Sequence, residues 1–96
     1  MTCTKILIVE DELIAAESLA FDLKSQGYQV VGIVDSGTKA ISATANKKPD
    51  LILMDILLKG EIDGISASET IRDHFQIPVV YLTAYADMEI LKRAKI

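Results

Sequence analysis

Short, unbroken apolar runs alternate along this chain with longer stretches in which apolar residues return every third or fourth position. The first pattern fits strands buried on both faces, and the second fits helices with one buried stripe. Lys5 to Val9 reads as the first strand. Leu13, Ala16, Leu19, Ala20 and Leu23 then mark one face of a helix that stops near Gly27, a natural C′ residue. Gln29 to Val34 reads as a second strand. Asp35, Ser36 and Gly37 turn the chain into a short helix carrying Ala40, Ile41 and Ala43, which ends before Pro49. Leu51 to Asp55 is the third strand. After a polar loop, Ile65, Ser68, Ile71 and Phe75 define another helix, and Pro78 opens a fourth strand through Leu82. Asp87 is the expected N-cap of a last helix with Met88, Leu91 and Ala94. Such alternation, without a linker, a low-complexity segment or a solenoid repeat, predicts stacked βαβ units: an α/β fold whose parallel sheet carries helices on both faces, with right-handed crossovers.

Composition narrows this to one small domain. The chain has 96 residues, and 50% hydrophobic content is ample for a single core and argues against disorder. Its one cysteine, Cys3, has no partner for an intramolecular disulfide, which fits a reducing compartment; a small residue leading into a strand is the reading it warrants. No apolar run has the length of a membrane span, and the N-terminus lacks the parts of a signal peptide. The expected location is the cytoplasm. A net charge of −4 argues against direct nucleic-acid binding. Lys47 and Lys48 read as solvated residues at a helix end, where cations are favoured.

Candidate chemistry sits at the strand ends. Val9 runs into Glu10 and Asp11, the third strand ends in Asp55, and Leu82 runs into Thr83. In an open α/β sheet the C-terminal strand ends lie side by side, and ligands bind where the strand order reverses, so these residues are expected to share one pocket. Three carboxylates crowded together repel, so one of them keeps a proton or a cation sits among them. Oxygen-only donors suit Mg²⁺. No histidine or thiol cluster points to zinc or copper, and His74, near a helix end, is expected at the surface. A lone aspartate after a strand is ordinarily a loop or cap residue; its company at matching strand ends is what singles out Asp55.

Four landmarks in order, KILIVEDE, LILMDI, IDGI and VVYLTAY, make the chain similar to the receiver domains of two-component response regulators over essentially its whole length. The resemblance implies a flavodoxin-like doubly wound parallel sheet of order 2-1-3-4, continued by a fifth strand in the family. It implies that Asp55 is the phosphoacceptor for a sensor histidine kinase, a phosphotransfer protein or a small phosphodonor. Asp11 and Asp55 would ligate Mg²⁺ directly, Glu10 directly or through water, and Leu57 through its main-chain carbonyl. Thr83 would be the switch hydroxyl, with small Ala84 leaving room for the phosphoryl group, and Glu12 would start a helix. Phosphorylation would switch the face around strand 4 and the following helix toward a partner or an output module beyond Ile96. On this reading the domain is a signalling switch and not an enzyme in its own right. Two other readings stay open. A pseudo-receiver would keep the fold without phosphorylation, and an aspartate-nucleophile phosphatase would need a second aspartate at position 57, which is Leu57.

Two departures from the family accompany the match. The loop reads DILLKGEIDG, with Lys59 where the family commonly has proline and one extra residue, so Lys59, Gly60 and Glu61 reshape the pocket rim. The family's fifth strand, with its lysine and aromatic switch residue, is absent from residues 1–96; Lys92 and Lys95 fall on the last predicted helix and receive no site role. The expectation is therefore a receiver domain over 1–96 that is incomplete at its C-terminus. Its fourth strand would be an exposed edge open to dimerisation or strand exchange.

Overall fold

A computed structural model describes residues 3–55 and 64–82. Its elements run β1 (Lys5–Val9), α1 (Leu13–Ser25), β2 (Gln29–Val34), α2 (Gly37–Lys47), β3 (Leu51–Asp55), α3 (Gly64–Phe75) and β4 (Val79–Leu82). The four strands form one sheet in the order β2-β1-β3-β4, every pair parallel. This is the predicted flavodoxin-like order. Asp87, the 88–95 segment, Leu57, Thr83, Ala84 and the loop at 59–61 lie outside the described residues.

The sheet separates two apolar layers because strand side chains alternate between its faces. On one face Ile6, Ile8 and Leu53 pack with Ala16 and Ala20 of α1, joined by half-buried Leu19 and Leu23. On the other, Leu7, Val9, Ile52 and Met54 pack with Ala40 of α2 and with Ala67 and Ile71 of α3. Small residues on the helix stripes let the backbones approach the sheet closely. The β1–β2 register pairs Ile6 with Val30 but Leu7 with Gly32, leaving Val31 as an extra residue. A one-residue slip exchanges the faces of everything after it. Val30 therefore packs with Ile6 in one layer, while Val31 and Val34 both face the other.

Helix ends follow the local chemistry. Gly27, at φ +95°, closes α1: the Tyr28 N–H donates to the Leu23 carbonyl and the Gly27 N–H to the Lys24 carbonyl, the paired bonds of a Schellman motif. Ser36 caps α2, its hydroxyl accepting from the Lys39 N–H at 3.2 Å. At its other end α2 stops on Lys48, which takes a left-handed φ of 51° one residue before Pro49. A side chain there costs about 1–2 kcal/mol, against about 0.5–1 kcal/mol of chain entropy for glycine. Lys48→Gly should therefore stabilise the protein by about 0.5–1 kcal/mol. Thermal melts of the two proteins at one pH check this; an unchanged or lower melting temperature would refute it.

Leu13 departs from the predicted α1 stripe, being 64% exposed. It is the first residue of the helix, at the rim beyond the strand ends, where no layer of the sheet lies beneath it. A second finding concerns two polar side chains on core-facing positions. Ser68 is fully buried in α3, and its hydroxyl is hydrogen-bonded to that of Tyr81 in β4. Ser68 donates its one proton to the Ile65 carbonyl at 2.8 Å, so Tyr81 is the donor between the two hydroxyls. Ser68→Ala would strand a buried donor, costing about 1–3 kcal/mol, whereas Tyr81→Phe forfeits only a net bond of about 0.5–1.5 kcal/mol. Urea denaturation of both variants should show that asymmetry; equal losses would assign the donor wrongly.

Candidate functional site

The chain passes from β1 to β2 on one side of the sheet and then crosses to β3 on the other, so the strand order reverses between β1 and β3. The crevice beyond their carboxyl ends is where such folds bind ligands. Glu10 and Asp11 follow β1 directly, and Asp55 is the last residue of β3. The Glu10 N–H donates to the Val34 carbonyl at 2.9 Å, holding the turn after β1 to the end of β2. Leu82, the last residue of β4, is the register partner of Asp55.

Glu10, Asp11 and Asp55 converge as the strand ends predict. Each offers a carboxylate oxygen, and these atoms lie within 4.8 Å of one another. Asp55 is 8% exposed and the other two are half-buried. A cation among them would balance three carboxylate charges that otherwise repel one another. The donors are hard oxygens without nitrogen or sulfur, and they fit Mg²⁺ in kind. Glu12 does not join them. It stands at the N-cap of α1 without a side-chain cap bond, and its N–H donates to Glu10 Oε1 at 3.2 Å.

Burial raises the Glu10 carboxyl to about 7 from an ordinary 4.5, helped by its hydrogen bond to Asp55 and by the charges of Asp55 and Asp11. The Glu12 N–H opposes the shift by favouring the carboxylate. Glu10 thus holds its proton well above the ordinary carboxylate range, which lessens the repulsion within the triad below about pH 7. Beside it lies an open cleft of about 300 Å³ lined by Glu10, Asp11, Leu13, Ile33, Val34, Asp35 and Lys39. Lys39 spends its charge on Asp35, Nζ to Oδ1 at 3.0 Å.

The remaining sequence candidates stand apart from the cluster. His74 is exposed in the last turn of α3, and Lys47 and Lys48 are exposed at the end of α2. Both helix ends return to the opposite edge of the parallel sheet. Cys3 is a free, exposed thiol ahead of β1. Sequence reasoning missed the Ser68–Tyr81 bond. The signal was present only as two single hydroxyls on otherwise apolar, core-facing stripes.

Comparison with known proteins agrees with this geometry. The chain matches the family described as response regulator receiver domain over residues 6–95. It is 35% identical over 91 residues to the transcriptional regulatory protein PdtaR of Mycobacterium tuberculosis, covering 95% of this chain and 44% of that protein. The chain therefore spans less than half the length of this curated relative. Among solved structures it resembles the signal receiver domain of a modulated diguanylate cyclase from Desulfovibrio desulfuricans G20, with TM-score 0.91, 35% identity, and coverage of 98% of this chain and 75% of that one. It also resembles the anti-anti-sigma factor PhyR of Bartonella quintana, complexed with the anti-sigma factor NepR, with TM-score 0.78, 38% identity, and coverage of 86% and 34%.

Proposed function

The chain belongs to the response regulator receiver domain family, and from that premise we propose that it is a phosphoacceptor switch in which Asp55 receives a phosphoryl group in a Mg²⁺-dependent transfer. The observation that carries this reading is the convergence of Glu10, Asp11 and Asp55 at the point where the strand order reverses. A pseudo-receiver has no need of a buried aspartate held against two further carboxylates at a cost in repulsion.

In the proposed transfer an Asp55 carboxylate oxygen attacks the phosphorus of a phosphohistidine or acyl phosphate. The new oxygen–phosphorus bond forms as the bond to the donor's nitrogen or oxygen breaks, and the donor leaves with that electron pair. Phosphoryl transfer of this kind is governed by positioning and charge. Asp55 is positioned by the β3 ladder, one residue past Met54, whose side chain is fully buried. Glu10 must yield its proton for the triad to act as a ligand set. Mg²⁺, held by Glu10, Asp11 and Asp55 with the Leu57 carbonyl, would supply positive charge against the phosphoryl oxygens. Thr83 would bond the transferred group and so convey its presence to the strand-4 face. Phosphorylation in this mode draws a nearby hydroxyl toward new acceptor oxygens and biases a bistable element.

Donor and target are proteins on this reading. Ile14 and Phe21, two helical turns apart on α1, are 85% and 73% exposed and offer an apolar contact strip to a sensor histidine kinase or a phosphotransfer protein. That PhyR is seen with NepR supports a protein, not nucleic acid, as the target of the switched face. An output module joined after Ile96 is the other route, as the greater length of PdtaR suggests. No helix among the described residues is long and apolar enough to cross a membrane, and we place the domain in the cytoplasm. The test is intact mass after incubation with acetyl phosphate, with and without Mg²⁺. A Mg²⁺-dependent phosphoryl adduct supports the switch. Its absence, from this chain and from one extended by the natural gene's next segment, favours the pseudo-receiver, and rapid multiple turnover of an external phosphomonoester favours the phosphatase.

A further inference from the structure

Ser68 lies in the interior of α3 with no exposure at all, in a helix stripe otherwise made of Ile65, Ala67 and Ile71. Serine is an indifferent helix former because its hydroxyl competes for backbone groups, and a buried hydroxyl must be satisfied. Here its proton goes to the Ile65 carbonyl and its lone pair takes the Tyr81 proton. Tyr81 and Ile65 also pack against each other as a small buried cluster, with Val79 alongside. The first turn of α3 and the end of β4 are thereby one mechanical unit.

The strand part of that unit adjoins Asp55. Tyr81 is the register partner of Met54, and its successor Leu82 is the partner of Asp55 itself. Through the Ser68–Tyr81 bond the first turns of α3 are tied to the strand that runs beside Asp55. We propose that Tyr81 is a positioning residue for the chemistry at Asp55, acting through Ser68 to hold the start of α3 against β4 and so making α3 respond to events at the acidic cluster. This rests on the phosphoacceptor reading above and deepens it. A phenol in β4 that merely filled space would be replaced by phenylalanine without consequence for Asp55.

The experiment uses the full 96-residue chain, Tyr81→Phe, Ser68→Ala and the double variant, all well below their melting temperatures. Three quantities are read: the rate of adduct formation with acetyl phosphate, Mg²⁺ affinity by calorimetry, and the amide NMR shifts of α3 on Mg²⁺ addition. Each single variant should slow adduct formation by roughly threefold to tenfold, and the double should lose no more than either single, as residues sharing one bond do. Mg²⁺ should move the α3 amides of the parent and move them much less in the variants. Adduct rates within about twofold of the parent with α3 shifts intact would overturn the proposal, even with lowered stability, and so would losses that simply add in the double. If the parent accepts no phosphoryl group, the phosphoacceptor reading fails while the α3 shifts still decide the tie; parent α3 amides unmoved by Mg²⁺ overturn it.

Discussion

Asp55→Asn is expected to abolish the Mg²⁺-dependent phosphoryl adduct, to weaken Mg²⁺ binding by roughly tenfold or more, and yet to raise the stability of the metal-free protein. The first effect follows because an amide oxygen cannot form the acyl phosphate. The second follows because one of three ligand charges is gone, and ligand charge count sets the affinity of such oxygen sites. The third has the opposite sign for the same reason. Asp55, 8% exposed, stands within reach of two other carboxylates whose repulsion and desolvation oppose folding when no cation balances them. Asparagine keeps the shape, and its amide oxygen can accept from a protonated Glu10 as the Asp55 carboxylate does, so packing is preserved while the repulsion falls. Intact mass, calorimetric Mg²⁺ titration and thermal melts without metal read the three effects. An adduct that persists in the variant would move the phosphoacceptor elsewhere. A variant that melts lower without metal would show that the cluster is not under electrostatic stress.

Mg²⁺ affinity is expected to rise with pH by about tenfold per unit below about pH 7 and to level off above it, because Glu10 must lose its proton before its oxygen can ligate. The metal-free fold should show the complementary trend. The Glu10 carboxyl titrates above its ordinary range when folded, so between about 4.5 and about 7 the folded protein holds more protons than the unfolded chain. Stability then falls as pH rises through that window, and the stabilising contribution of the shared proton is complete only below it. Glu10→Gln should flatten both profiles, since glutamine donates to Asp55 at every pH. Calorimetric titrations from about pH 5 to about pH 8, with parallel melts in chelator, check this. A log-affinity plot without slope below pH 7 would mean that Glu10 is already ionised in the metal-free protein.

Both predictions rest on residues that the sequence singled out, which marks how far a sequence reaches here. Strand and helix periods are local properties of the chain, so β1 to β4 and α1 to α3 were predictable from apolar spacing, and the caps at Ser36 and Gly27 from residue type. Placing Glu10, Asp11 and Asp55 in one pocket needed only the rule that parallel strands present their carboxyl ends together. Other features had no local cause. Leu13 carries the period of the α1 stripe but sits past the end of the sheet, and period does not say where the sheet stops. The extra residue at Val31 shows only as a shift in pairing with β1, because a bulge is defined against a neighbouring strand. Lys48 and Gln76 take positive φ where no glycine announced it, since the turn into the next strand is imposed by packing.

What the sequence determined by itself was the order of elements, the family, and the three carboxylates that meet at the strand ends. What only the tertiary structure decided was how those groups act on each other. The Glu10 carboxyl is raised because folding strips water from it and brings Asp55 from a distant strand into hydrogen-bonding range. The tie between Tyr81 and Ser68 exists because β4 and α3 pack face to face. Interaction energies depend on distance and burial, which are properties of the folded chain, whereas periodicity and residue type are properties of the chain alone.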